Sequence, residues 1–353
     1  MKIPSLRSLG QALLPGVSAV GVALLLSAAM AALIGADPLR AIGALISGSV
    51  GSPASLAATL LGAVPLLFTG LGVMLAFRSG VFNIGAEGQL LVGALAATAV
   101  ATRTGSWPGQ AIVVIACGAL AGALWAGIAA GLRAKREVNE VITTILLNFV
   151  ALYLVSYAVD GPLKEQAGAY PQSDAFPATA ELWRLIPGTR IHAGMALGLV
   201  AVVAVSTLLS RTALGLRLRS AGLNLSAARL AGFPVQRDLF YAFALSGALA
   251  GIAGAIEVSG VTGRLYERIS PGYGYTAIAI ALLGGLRASG VLFAALFFAA
   301  LATGAAAMER TAGISAVLAV AVQGATLLLI AIAGRTSWTG LRTGEGEEAG
   351  DGS

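Results

Sequence analysis

The chain has 353 residues, of which 57% are hydrophobic and only 11% are charged, and its formal net charge is +6. A soluble domain carries about 25% charged residues, and no soluble fold of this length could bury so much apolar surface. The basic residues lie in short loops between apolar segments, so the positive charge does not indicate nucleic-acid binding. The single cysteine, Cys117, excludes an intrachain disulfide and a cysteine metal site.

Apolar stretches long enough to cross a bilayer recur from end to end and predict an all-α, polytopic membrane protein with about ten transmembrane helices. The first stretch is too long for the core of a signal peptide, so we expect it to be retained. The predicted segments are 13–36, 54–77, 84–102, 109–132, 141–159, 194–210, 239–259, 274–286, 290–307 and 314–334.

The distribution of basic residues predicts the orientation of these helices. With the N-terminus inside, the two most basic loops, 133–140 and 211–238, both lie in the cytoplasm, as the positive-inside rule requires. Both termini are then cytoplasmic. We expect residues 1–335 to form one transmembrane domain and residues 336–353, which are rich in Gly and Glu, to form a disordered cytoplasmic tail.

The segment 77–90, FRSGVFNIGAEGQL, places polar residues and three glycines between two apolar segments. Polar groups at membrane depth are costly and usually functional, and irregular backbone there must be satisfied by protein or by a water-filled cavity. We therefore predict a broken helix. Asn83, Glu87 and Gln89 could line a solute path, or they could satisfy the backbone of the break, with Glu87 paired to Arg78.

Segment 274–286 is short and follows a glycine-rich stretch, so it is a candidate counterpart of that break in a second, related half of four or five helices. Tyr273 and Tyr275 at its start could stack on a solute or act as interfacial anchors. Asn148 lies in the middle of segment 141–159, where it could face a pathway or form a hydrogen bond between helices.

Two long loops carry further signals. The outer loop, 160–193, contains four prolines and could form a cap or a docking surface for an external partner. In the inner loop, Asn224 is expected to cap a short helix, 225–231, which ends before Gly232. A short capped helix between two membrane segments suits a shallow groove on another protein.

Two isolated polar residues remain. His192 is the only histidine and is expected to be exposed in the outer loop, where it has no companion ligands for a metal. Glu257 is expected to reach the membrane interface from the outer end of its helix. With no paired nucleophile and base and no metal cluster, an intramembrane enzyme is excluded.

Four stretches, 77–90, 137–164, 222–251 and 274–285, together resemble the membrane permease subunits of bacterial ABC importers. They are most similar to the nucleoside-type branch of the ribose and branched-chain amino-acid permease family. The resemblance implies a solute pathway across the plasma (inner) membrane and a region that couples it to an ATPase. The residues implied for the pathway are Asn83, Glu87, Gln89, Asn148, Tyr273 and Tyr275, and those for coupling are Gly222, Asn224, Ala227, Ala228, Arg229 and Gly232.

The resemblance also implies partners: an ABC ATP-binding subunit, a second permease that is a different chain, and an extracytoplasmic substrate-binding lipoprotein. ATP and Mg would be bound by the partner ATPase, and this chain would hold no cofactor. A P-loop needs a lysine directly after glycine. The three lysines, Lys2, Lys135 and Lys164, all follow other residues.

Two alternatives stay open at this point. The solute of an ABC permease could be a sugar or a branched-chain amino acid. An ion-coupled secondary transporter would use buried acids as relays, and Glu87 and Glu257 are the two candidates.

Overall fold

The computed structural model describes residues 37–166, 168 and 170–313, with isolated positions before residue 37 and at Gly324. The predicted first and last segments, 13–36 and 314–334, lie almost wholly outside these residues, and the predicted tail, 336–353, lies entirely outside them. Within the described part the chain is helical and has no named strand, only three isolated β-bridges.

Eleven helices are described, and a π-helical turn, Glu257–Thr262, continues the ninth. Their bounds are α1 Pro38–Val50, α2 Pro53–Arg78, α3 Ala86–Arg103, α4 Gln110–Arg136, α5 Glu140–Asp160, α6 Gly194–Arg211, α7 Ala213–Leu223, α8 Leu225–Leu230, α9 Val235–Ile256, α10 Tyr273–Leu283 and α11 Ala288–Ala312.

Six of these helices are long and apolar enough to cross a membrane: α2, α4, α5, α6, α9 with its π-helical turn, and α11. They match six of the predicted segments and make the chain a multi-pass membrane protein. Segment 84–102 forms α3, which is helical but more polar, and segment 274–286 forms α10, which has only 11 residues. Both therefore have the interrupted character that the sequence predicted.

The inner loop contains more helix than we predicted. Residues 213–223 form α7 within the predicted basic loop 211–238, where only the short helix 225–231 was expected, and α9 begins at Val235, four residues earlier than expected. The predicted cap is confirmed, because the Asn224 side chain accepts a hydrogen bond of 3.0 Å from the Ala227 amide at the start of α8. Asn139 caps α5 in the same way, through the Val141 amide.

The described chain divides into two compact units, residues 56–299 and the two flanking stretches, 1–55 with 300–353. In the second unit α1 crosses the C-terminal part of α11. Gly48 faces Ala307 there, and Gly304 lies against the backbone of Leu45, so that a Cβ at either glycine would collide. Small residues at a helix crossing allow the close backbone approach on which packing in membranes depends.

In the larger unit α4 and α9 form an antiparallel pair along a stripe of small residues. Gly118 and Gly122 of α4 face Gly247, Gly251 and Ala255 of α9 so closely that neither glycine of α4 has room for a Cβ. Another helix, α3, packs on both α4 and α9, and its Gly93 lies against the backbone of Gly251. This packing holds the start of α3, where the break lies, in a rigid frame.

The outer surfaces of α4, α5 and α6 are apolar. Ile112, Leu124, Leu146, Val200 and Val203 are all more than half exposed. By contrast, most of α2 is buried, from Ala63 to Ala76. This distribution is typical of helices that face lipid around a buried central helix.

Candidate functional site

The break between α2 and α3 is filled by side-chain amides. Asn83 and Gln89 exchange two hydrogen bonds, of 2.9 and 3.0 Å, and both are almost fully buried. The Asn83 amide also donates to Ser246 Oγ of α9 at 2.8 Å, and its oxygen accepts from the Gly85 amide at 2.9 Å. The three side chains therefore satisfy each other and one backbone group of the break.

Asn148 reaches the same break from α5. Its Oδ1 accepts from the Gly88 amide at 2.8 Å, and its Nδ2 donates to the Ile84 carbonyl oxygen at 2.9 Å. The first amides of a helix have no partner inside the helix, so a side chain from a neighbour must supply one. Asn148 does this for α3, and Gly88 leaves no room for a side chain beside it.

Glu87 joins the starts of two helices. It lies in the first turn of α3, and its Oε2 accepts a hydrogen bond of 2.7 Å from the Gly274 amide in the first turn of α10. A Cβ at Gly274 would collide with the Glu87 backbone, so the two helix starts touch. Each N-terminus carries a partial positive charge, which favours an anion between them. The Glu87 carboxyl group of the protein itself occupies that position.

This cluster lies near the middle of the spans that surround it. Asn148 is the ninth residue of α5 and Ser246 is the twelfth of α9. At 1.5 Å per residue they stand about 12 and 16 Å from the starts of their helices, roughly half the thickness of a hydrocarbon core. Two helices that begin at this depth are typical of a transport pathway.

The structure thus brings the predicted pathway residues together, with one expected contact missing. Among the described residues no ion pair joins Glu87 to Arg78, since the carboxylate contacts the start of α10 instead. Tyr275 is 45% exposed, and its hydroxyl accepts from Asn148 Nδ2 at 3.4 Å. Tyr273 packs against the buried core. Ser246 was missed, because it lies 163 positions from Asn83.

The predicted coupling residues lie in a second region, from Gly222 to Gly232. Asn224, Ala227, Arg229 and Gly232 are exposed, whereas Ala228 is buried, with 3% of its surface exposed. Two leucines that the sequence did not single out are instead almost fully exposed, Leu223 at 88% and Leu230 at 91%. Exposed leucines on a segment between membrane helices are candidate contacts for a partner protein.

Backbone contact connects this second region to the break. Gly222 lies against the Arg78 carbonyl at the end of α2 so closely that a Cβ would collide with it, and Gly80, whose φ is +78°, approaches the Gly222 Cα. In addition, Arg217 of α7 makes a paired contact with the buried carboxylate of Asp238 in α9, at 2.9 and 3.2 Å. The coupling segment, residues 222–232, is therefore held by two sets of contacts: that of Gly222 with the end of α2, and the ion pair between Arg217 and Asp238 in the helices on either side of it.

Comparison with known proteins places this architecture in a family. Residues 55–331 match the family described as "Branched-chain amino acid transport system / permease component". The chain belongs to this permease family. It is thus a membrane permease subunit of the ABC transporter type and not itself an enzyme. No solved structure matches it significantly.

Three relatives of the permease are similar over most of their length. A glucose ABC transporter permease of Haloferax volcanii is 42% identical over 83% of this chain and 80% of its own. A guanosine ABC transporter permease of Bacillus subtilis is 34% identical over 83% of this chain and 86% of its own. A nucleoside ABC transporter permease of Lactococcus lactis subsp. cremoris is 30% identical over 87% of both chains.

One expectation about the outer half of the permease is wrong, and a second residue there is more buried than its position suggested. His192 is buried, with 1% of its surface exposed, because its ring packs against Gly260 and its Nδ1 accepts from the Gly194 amide. Burial lowers the pKa of His192 to about 4. Glu257 is also buried, with 6% of its surface exposed, so protein surrounds the residue at the outer end of α9. Neither burial has a local signal in the sequence, and that of His192 depends on the contact of its ring with Gly260, 68 positions later in the chain.

The outer loop docks on the segment after α9 through backbone and ionic contacts. Ser173 and Phe176 donate backbone hydrogen bonds to Leu265 and Gly263. Glu165 forms an ion pair with Arg264, with 2.6 Å between Oε1 and Nη1. The Arg264 guanidinium, together with the Gln172 amide, holds the pKa of Glu165 below its usual range. The loop therefore forms an ordered cap, one of the two roles that its prolines suggested.

Proposed function

We propose that this chain forms part of the translocation pathway of an ATP-driven importer of nucleosides in the bacterial plasma (inner) membrane. The observation that carries the proposal is the similarity to permeases named for guanosine and for nucleosides, over more than four fifths of the chain. In the proposed topology about ten helices, arranged as two related halves, cross the membrane, both termini are cytoplasmic, and residues 336–353 form a cytoplasmic tail.

The contacts of Glu87 support a neutral solute. Where two helix starts meet inside a membrane, their partial positive charge commonly receives an anionic group of the solute. Here the Glu87 carboxylate already receives the Gly274 amide at that point. The position that an amino-acid carboxylate would need is therefore already taken by the Glu87 carboxyl group, whereas a nucleoside or a sugar brings no anionic group to it. We assign the narrow region that must open for passage to five further residues of the cluster: Asn83, Gln89, Asn148, Tyr273 and Tyr275.

The proposed partners follow from the chemistry that this chain lacks and the surface that it exposes. Its three lysines do not follow glycine, so a separate ABC ATP-binding subunit would bind ATP and Mg. We assign the docking of that subunit to residues 222–232, with Leu223 and Leu230 as the apolar contacts. A second permease chain would complete the pathway, and an extracytoplasmic substrate-binding lipoprotein would deliver the solute to the outer cap.

A sugar is the second candidate, because a relative with 42% identity is named for glucose. Deleting the gene in its own organism and measuring the initial uptake of labelled guanosine and of labelled glucose separates the two. We expect guanosine uptake to fall to the background level and glucose uptake to be unchanged. Loss of glucose uptake alone would reverse the assignment.

A second measurement tests the energy source. An uncoupler applied while cellular ATP is maintained should leave uptake through the complemented strain unchanged, because ATP hydrolysis drives an ABC importer. Uptake that collapses under these conditions would favour ion coupling and would contradict the proposal. The same strain carrying an empty vector gives the background for both measurements.

A further inference from the structure

Glu257 is a carboxylate without a partner inside the membrane-spanning part of the chain. Only 6% of its surface is exposed, and its neighbours Ile256 and Val258 are fully buried. Within the described part of the chain the Glu257 carboxylate receives no hydrogen bond and forms no ion pair, in contrast to Glu87. An unpaired carboxylate in apolar surroundings is costly, so its presence points to a function.

The backbone around Glu257 holds the residue in this position. Glu257 begins the π-helical turn that continues α9. Such turns are rare in proteins as a whole, and those that occur are often found at functional sites. The Ser259 hydroxyl donates to the Ala255 carbonyl at 2.6 Å, and the Ser259 carbonyl accepts from the Leu182 amide of the outer loop at 2.9 Å. On the same turn Gly260 contacts the ring of His192. The turn is thus held from two sides, by the Leu182 amide and by the ring of His192.

Tyr273 interacts both with Glu257 and with Glu87 at the break between α2 and α3. Its phenol is close enough to both Glu257 and Glu87 to interact electrostatically with each carboxylate. Tyr273 precedes Gly274, whose amide binds Glu87. Glu257 follows Ser246 by 11 positions along α9, about 16 Å of helix, toward the turn that contacts the outer loop. The free carboxylate therefore lies between the outer cap and the closed break.

The chemistry of this position favours a hydrogen-bond donor as the ligand. The described residues contain no group of three or more His, Cys, Asp or Glu side chains that could hold a metal ion. A carboxylate has two oxygens and can accept hydrogen bonds from two adjacent hydroxyl groups at once. Adjacent hydroxyls are common to the ribose of a nucleoside and to a sugar.

We propose that Glu257 is a solute-binding residue on the outer side of the Glu87 break, where its carboxylate accepts hydrogen bonds from a vicinal diol of the passing solute. The assignment rests on the proposed function, because it requires a neutral polyhydroxylated solute. It adds a second binding position to the pathway, and it uses a carboxylate that makes no hydrogen bond within the described part of the chain.

The test uses the complete importer in proteoliposomes and compares guanosine with 2′,3′-dideoxyguanosine, which lacks the two hydroxyls of the vicinal diol and keeps the 5′-hydroxyl. Because the external binding protein sets the half-saturating concentration, the effect should appear in the maximal rate. For Glu257→Gln we expect the maximal rate of guanosine uptake to fall about tenfold, the loss expected of one hydrogen bond. Uptake of dideoxyguanosine, basal ATPase activity and subunit composition should not change. Glu181→Gln, in the exposed outer loop, is the matched control.

Unchanged guanosine uptake by Glu257→Gln, or equal losses for both nucleosides, would overturn the assignment. If the Gln variant does not assemble, Glu257→Asp keeps the carboxyl group but retracts it by one methylene, and it should still reduce the preference for guanosine. An unaltered preference in that variant would also overturn it. The wild-type importer separates the two claims: failure to carry guanosine contradicts the proposed function, whereas normal transport with an insensitive Glu257 contradicts this inference alone. If glucose is the solute, deoxyglucose replaces the dideoxynucleoside.

Discussion

The break at residues 79–89 and the coupling segment at residues 222–232 differ in how their side chains are satisfied. At the break, Asn83, Gln89, Asn148 and Glu87 are buried and all have hydrogen-bond partners within the chain. In the coupling segment, the largest apolar side chains contact little of the chain. The first region is therefore arranged to hold one conformation, and the second to bind another protein. The Gly222 contact with the end of α2 connects the two.

The largest effect is expected at the break. Glu87→Ala removes the acceptor of the Gly274 amide between two helix starts, so we expect uptake to be abolished. Glu87→Gln keeps an acceptor oxygen and should retain measurable uptake. Uptake of labelled solute, normalised to permease in the membrane, checks both. Normal uptake by the Ala variant at a normal membrane level would refute the assigned role.

In the coupling segment, Leu230→Asp should separate the ATPase from an intact permease. A charge at an exposed position does not disturb the fold, but it would be buried without a partner against an apolar groove. We expect recovery of the ATPase with the tagged permease to fall about tenfold, with an unchanged elution volume of the permease. Leu185→Asp, in the outer loop, is the control. Full recovery of the ATPase with Leu230→Asp would show that this leucine is not a contact.

A bulky side chain at Ala228 should also reduce recovery of the ATPase, for a different reason. Because Ala228 is buried within the chain, Ala228→Trp must displace α8 before any partner binds. We expect this variant to lower the thermal stability of the permease in detergent, whereas Leu230→Asp should leave it unchanged. Undiminished co-purification of the ATPase with Ala228→Trp would count against the coupling role of α8.

The contact between the break and the coupling segment can be weakened without removing either region. A Cβ in Gly222→Ala would collide with the Arg78 carbonyl, so the coupling segment must shift away from the break. We expect uptake to fall severalfold while the ATPase still co-purifies and hydrolyses ATP. Gly131→Ala, where a Cβ meets no atom, is the control. Equal uptake by both variants would mean that this contact does not transmit the motion.

The smallest effect is expected in the outer half, where His192 makes the stability of the permease depend on pH. Burial depresses the pKa of His192 from 6.5 to about 4, so the folded state holds it neutral while the unfolded chain takes up a proton. Its contribution to stability is complete above pH 6.5 and is lost as the pH falls toward 4. The melting temperature in detergent should therefore decrease over this interval, and less so for His192→Asn. Equal decreases for both proteins would assign the pH dependence to other groups.

The sequence predicted what depends on local pattern. Apolar length indicated the six spans, and local capping rules placed Asn224. The break was recognisable because its polar and glycine residues interrupt apolar surroundings. The helix α7 was missed, since its arginines resemble those of an irregular basic loop until Arg217 is seen to pair with buried Asp238.

Tertiary contacts decided the rest. The choice of Gly274 rather than Arg78 as the partner of Glu87 depends on the meeting of two helices that are 187 positions apart in the chain. The burial of His192 depends on the contact of its ring with Gly260, 68 positions later in the chain. Which face of α8 is buried, and hence that Leu230 rather than Ala228 is available to a partner, depends on how α8 packs. None of these contacts has a signature of local spacing.

The most direct test of the account is affinity purification of the tagged chain from its own membranes in mild detergent, followed by mass spectrometry of the proteins that remain bound. We predict recovery of a P-loop ATPase, a second permease chain and a nucleoside-type binding lipoprotein. Recovery of the chain alone, across several detergents, would contradict its assignment as a subunit of an ATP-driven importer.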